Sequence, residues 1–221
     1  MDEVPDGSKR RTAFRRADLR KFEVNHDAIN QAEVDEFETI LNRAEREADL
    51  QQHLAANPRI LVQKLRGGWG RWVIPSPRFG AEHVPDFIVG EYSSLGVQWT
   101  LVELESPRRR LFNNRGDPAE YLNHAIRQIA DWRDWLITNR DYAIRSRSDQ
   151  GLGLVDIDGR APAWIIIGRR DDEDEKTRRR RAQLGAQSGI EIHTYDWLLD
   201  AAHARVHDME AWKRRSGVGN D

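Results

Sequence analysis

The sequence predicts an α/β fold, a mixed central β-sheet flanked by α-helices. Three observations carry this. Phe87–Val89 and Val97–Val102 are short apolar runs that read as buried strands. Leu122, Ala125, Ile126, Ile129 and Leu136 then recur at helical steps, making one core-facing stripe. Ala163-Trp-Ile-Ile-Ile-Gly168 is a further apolar run, too short for a globular helix. Strands in this order, interrupted by a long helix, belong to a layered α/β domain.

The 221 residues give room for one good-sized domain with an arm, and eight tryptophans argue for a substantial core. Residues 1–30 read as the arm and 31–221 as the domain. Within the arm, Ser8–Lys21 carries seven basic residues in fourteen. It suits either phosphate contact or a solvated terminus, and the sequence does not separate the two. The chain has no cysteine, which excludes disulfides and thiolate metal sites. No run approaches the roughly 20 apolar residues of a membrane span, and the first residues lack the order of a signal peptide. The expectation is a cytoplasmic protein with no membrane partner and no organic cofactor. The formal net charge is −2, so any nucleic-acid contact must come from local basic patches.

The remaining elements follow in order. Val34, Phe37, Leu41, Ala44 and Ala48 form one helical face that Leu50 and Leu54 extend, and Asn57-Pro58 ends it. Gly67-Gly68 breaks the chain before a strand, Arg71–Pro75, and a turn, Ser76–Gly80. The turn at Gly90–Gly96 joins the two acid-bearing strands. Asp117-Pro-Ala-Glu120 reads as cap, first turn and capping box of a helix reaching Thr138. Asp141–Gly159 is polar and reads as loop or hairpin. Asp171–Arg181 runs acids before bases, the order that suits a helix start, with Arg178–Arg181 a weaker candidate for DNA contact. Ile190–Thr194 is a strand, and Thr194 is placed to cap a helix over Tyr195–Val206. His203 and His207 have a zinc-compatible spacing, but no third ligand is evident and a surface role is preferred.

Three carboxylates sit on the paired strands: Asp86, Glu103 and Glu105. Residues i and i+2 of a strand share a face, so Glu103 and Glu105 point the same way and Asp86 can join them across the pair. At 4 Å a like-charge pair repels by about 4 kcal/mol at an effective dielectric of about 20. A divalent cation with oxygen ligands is the simplest group to offset that repulsion.

Pro85-Asp86, sixteen residues, then Glu103-Leu104-Glu105 resembles the PD-(D/E)XK nuclease signature. Leu101-Val-Glu-Leu-Glu-Ser-Pro107, Ala125-Ile-Arg-Gln-Ile-Ala-Asp-Trp132, Ile165-Ile-Ile-Gly-Arg-Arg170 and His193-Thr-Tyr-Asp-Trp197 recur in that order in the Shedu family of bacterial antiphage defence proteins. The chain resembles that family over roughly Ala44 to Ala202. The resemblance implies a restriction-endonuclease-like fold and hydrolysis of DNA phosphodiesters, as an endonuclease or nickase. It implies Mg²⁺, with Mn²⁺ as substitute, held by Asp86, Glu103 and a carbonyl near Leu104. It implies catalytic roles for Asp86, Glu103 and Glu105, with Gln128 and Glu47 supporting the site; Glu45 is an available alternative to Glu47. Arg108, Arg109 and Arg110, next to the acids, and Arg169 and Arg170 are the candidate nucleic-acid contacts. A homo-oligomer is expected on the same ground. The departure is Glu105, which stands where the usual pattern has lysine. A carboxylate there suits a general base or a second cation, or else marks an inactive DNA-binding or assembly module.

Overall fold

The structure is a computed structural model that describes residues 18–65 and 70–216. Among the described residues five strands form one sheet in the order β1 (Arg71–Pro75), β2 (Phe87–Ser93), β3 (Gly96–Leu104), β4 (Ala163–Ile166), β5 (Glu191–His193). The first three make an antiparallel meander; β4 and β5 add in parallel. The helices are α1 (Gln31–Arg43), α2 (Glu47–Ala56), α3 (Glu120–Thr138), α4 (Arg140–Ile144), α5 (Glu175–Ser188) and α6 (Tyr195–Ser216). The mixed sheet flanked by helices is the expected α/β arrangement. No described helix is long and apolar enough to cross a membrane.

The strand period of two divides the core between the two faces. Ile88, Trp99, Leu101 and Ile165 pack with Leu122, Ala125, Ile129 and Trp132 of α3 on one face. Val89, Val102, Leu104 and Ile166 pack on the other with α1, α2 and the Tyr195–Leu198 turn of α6. Both faces are covered, which is why these strands read as apolar runs rather than as alternation.

The single helix expected up to Asn57 is two helices. Ala44 and Arg46 are extended, with ψ of 134° and 149°. Partners far along the chain hold the break open. Arg108 donates from Nε to the Ala44 carbonyl at 3.0 Å and from Nη2 to that of Asn42 at 2.7 Å. The Ser106 hydroxyl donates to the Glu45 carbonyl at 2.8 Å. These bonds satisfy carbonyls that a continuous helix would have used itself.

Other boundaries also move. Helix α3 starts at Glu120 after Ala119, not at an Asp117 cap. Phe112 and Pro118 form a bridge, and the Ala119 N–H donates to the Leu111 carbonyl, so that stretch stays extended. The turn between β2 and β3 is tighter than Gly90–Gly96, and Gly90 lies inside β2 opposite Trp99. The polar segment 141–159 contains α4 and buries Leu154, Val155 and Ile157, with Trp99 Nε1 donating to the Val155 carbonyl at 2.7 Å. Helix α6 runs ten residues beyond Val206, through strong helix formers and with no glycine or proline before Gly217. Of the segment read as an arm, residues 1–17 lie outside the described residues, as does Gly67-Gly68. Its later part is packed: Leu19, Val24 and Ile29 are buried and Glu23 bridges to Trp72.

Gly90 is required by close approach rather than by its backbone angles. A Cβ there would lie 2.7 Å from the Trp99 ring. Gly90→Val is expected to destabilise the protein by about 1–3 kcal/mol, the usual range for overpacking. Urea unfolding followed by tryptophan fluorescence checks this, and an unchanged midpoint would refute the packing role.

Candidate active site

The C-terminal end of β3 carries the site. Register places Val102 opposite Phe87, the last pair of the two strands, so Glu103 and Leu104 run on beside Asp86. The Glu105 N–H donates to Ile166 on β4, so residue 104 turns its own N–H and C=O towards β2. Proline 85 has no N–H to offer the Leu104 carbonyl. The Leu104 N–H donates to Asp86 Oδ2 at 2.8 Å. Gln51 of α2 donates from Nε2 to Asp86 Oδ1 at 2.5 Å. Asp86 is therefore held at both oxygens, and it lies close enough to Glu103 for each carboxyl to influence the other. The fully buried Tyr195 at the start of α6 donates its hydroxyl to the Glu105 carbonyl at 2.9 Å, fixing the strand end from below.

The break between α1 and α2 brings Glu47 to the same place. Asp86, Glu103 and Glu105 are 7%, 6% and 7% exposed, and Glu47 is half-buried beside them, whereas Glu45 is exposed. Burial, then Asp86 and Glu105, push Glu47 up to about 7. Burial also pushes Glu105 up to about 7, against the pull of Arg109 and with Asp86 adding to the rise. Burial raises Asp86 as well, although the Leu104 N–H and Glu103 pull it down. Glu103 rises most, through burial followed by repulsion from Asp86, Glu47 and Glu105. Near neutral pH the cluster therefore keeps protons that solvated carboxylates would have lost.

These oxygens fit a hard divalent cation in kind. Among the described residues, however, no three His, Asp or Glu side chains form a ready cage for one. Mg²⁺ does not need a cage, because it is commonly held by one or two carboxylates with water and substrate oxygens. Asp86, Glu103 and the Leu104 carbonyl are the groups suited to that role.

Above the acids is a cleft of about 690 Å³, walled by Glu45, Arg46 and Glu47 on one side and by Tyr121 and His124 of α3 on the other, with Glu105 and Arg109 between. The Arg109 guanidinium lies 3.6 Å from the centre of the Tyr121 ring. The other candidate arginines make other contacts. Arg108 also lines the cleft, but its guanidinium holds the helix break. Arg110 lines a separate polar hollow with Asp171 and Asp174. Arg169 pairs with Asp196, through Nη2 at 2.9 Å, and Arg170 with Asp200. Gln128 lies one helical turn beyond His124, with its Oε1 buried and without a hydrogen-bond partner. Sequence reasoning missed Gln51, Tyr121 and His124. Gln51 is four residues after Glu47 on one helix face, a signal that was available.

A carboxyl whose folded pKa exceeds its unfolded value binds more protons in the folded state between the two values, so stability falls as pH rises through that window. For Glu105 the window runs from the ordinary value of 4.5 to about 7. The metal-free protein is expected to lose melting temperature between those limits, and Glu105→Gln to lose less of it. Thermal melts across pH in EDTA check this; equal slopes for the two proteins would refute the assignment.

No curated protein matches the chain. The family model described as Shedu protein SduA, C-terminal, matches residues 44–199, well over half of the 221 and a span that contains Glu47, Asp86, Glu103 and Glu105. The chain belongs to the Shedu SduA C-terminal family.

Proposed function

We propose that this protein is a metal-dependent DNA endonuclease or nickase of antiphage defence, with a PD-(D/E)XK catalytic core. The observation that carries the reading is the meeting of Asp86, Glu103, Glu105 and Glu47 at one strand end, with Asp86 held at both oxygens. The antiparallel meander, the helix after it and the parallel strand beyond supply a compatible frame for that fold.

Asp86, Glu103 and the Leu104 carbonyl would hold Mg²⁺ or Mn²⁺. Such a cation, when bound, polarises the phosphodiester and makes a bound water more acidic. Gln51 and the Leu104 N–H keep Asp86 aimed into the site. Glu105, with a pKa close to working pH, is suited to take the proton from an attacking water. Glu47 is a second acid in the same range, beside the cleft. Arg109 is the cleft cation suited to a phosphate oxygen, since its forked donors match that group. Assembly into a homo-oligomer belongs to the same proposal, on the ground of the family.

A second reading has its own support. Glu105 occupies the place of the expected lysine, and burial among like charges holds protons on the carboxyls of the site. Both features suit a catalytically inactive DNA-binding or assembly module.

Incubation of purified protein with supercoiled plasmid separates the two. Nicking or linearisation is expected with Mg²⁺ or Mn²⁺, absent in EDTA, and lost by at least a hundredfold in Asp86→Ala, on the order of magnitude assigned to a group that stabilises the transition state. Cleavage that survives Asp86→Ala would sink the site assignment. DNA binding without cleavage in any metal, with cleavage appearing in Glu105→Lys, would establish the inactive module.

A further inference from the structure

The cleft has the composition of a seat for unpaired nucleic acid. Its walls carry Arg109 and Arg108, with Arg46 paired to Asp49 at its edge, and its phenol ring, Tyr121, is 39% exposed. Tyr121 and Arg109 already form a stack at 3.6 Å, immediately beside Glu105. Flat aromatic and guanidinium faces bind splayed-out bases with little regard to sequence. The acids lie low: Asp86 and Glu103 are almost fully buried and do not line the cleft, while Glu47 and Glu105 do. A phosphate must therefore descend between two walls to reach them. A duplex keeps its bases stacked inside and offers none to Tyr121, whereas an unpaired strand can lower a phosphate and lay the adjoining base on the Arg109–Tyr121 stack.

We propose that the site takes a single-stranded segment of DNA, with an unpaired base stacked on the Arg109–Tyr121 pair beside the acids. Tyr121 is then a specificity-determining residue that selects strand form rather than sequence. The proposal rests on the nuclease reading for the identity of the substrate, but its test does not depend on turnover.

Fluorescence anisotropy of the full chain, in EDTA and at one fixed salt concentration, compares a labelled single-stranded oligonucleotide with its blunt duplex. The strand is expected to bind more tightly. Tyr121→Ala is expected to weaken strand binding by about tenfold and leave duplex binding unchanged, in line with the loss of one base–aromatic stack. Tyr121→Phe keeps the ring and should keep the affinity. Equal affinity for strand and duplex, no binding of either, or an equal loss for both in Tyr121→Ala would overturn the proposal. Selective strand binding by a protein that cleaves nothing would sink the nuclease reading alone; plasmid cleavage without strand preference would sink this inference alone.

Discussion

The site depends on a carboxylate that finishes a β-ladder. Where β2 gives way to Pro85, the Leu104 N–H turns from the main chain to a side chain. Asp86 Oδ2 accepts that bond. One side chain thereby closes the sheet and is fixed beside Glu103. The same proline leaves the Leu104 carbonyl facing the acids without an N–H from β2. Removal of Asp86 would therefore open the end of the β2–β3 pair as well as take away the carboxyl proposed as a metal ligand.

Around that point the fold uses its cations to place anions. Arg108 and Ser106 follow the acids by only a few residues, and both reach across to the carbonyls at the break between α1 and α2. Without that break the helix axis would carry Glu47 elsewhere. Arg169 and Arg170, at the end of β4, grip Asp196 and Asp200 on α6. That grip sets the start of α6, where Tyr195 reaches the Glu105 carbonyl. Strand ends, helix break and helix start are tied into one frame by bonds between residues up to about ninety positions apart. Buried carboxyls that repel one another need such a frame, because a flexible site would relieve the repulsion by letting them swing into solvent.

The acids themselves were legible because strand periodicity is local: Glu103 and Glu105 share a face by count alone, and Asp86 joins them once the two strands pair. The sheet, α3 and α6 were legible for the same reason. The helix break was not. Val34 to Leu54 keep helical spacing across it, and its cause lies in Arg108 and Ser106, some sixty residues later. Asp117 misled in the opposite direction. Its local capping pattern is good, but Pro118 and Ala119 are held by Phe112 and Leu111 before the helix begins. Basic residues were the least legible class, since a guanidinium beside acids reads the same whether it awaits a phosphate or clasps a neighbouring helix. Arg109 and Arg108 are adjacent in sequence, yet one rests on the Tyr121 ring and the other clasps the break between α1 and α2.

A carboxylate at Glu105 differs by two units of charge from the lysine that the proposed PD-(D/E)XK reading would place there, and its surroundings offset part of that charge. Arg109 offsets part of it, pulling Glu105 down while resting on Tyr121. Protons offset another part, since burial pushes all four carboxyls up and repulsion from neighbouring acids adds to the rise of Glu47, Glu103 and Glu105. Protons and a divalent cation compete for the same oxygens, so loading such a site releases protons and becomes easier as pH rises. A lysine in place of Glu105 would neutralise the other carboxylates without that competition. The buried glutamates therefore tie the charge of the site to pH, and on the proposed metal-dependent reading they tie it to cation supply as well.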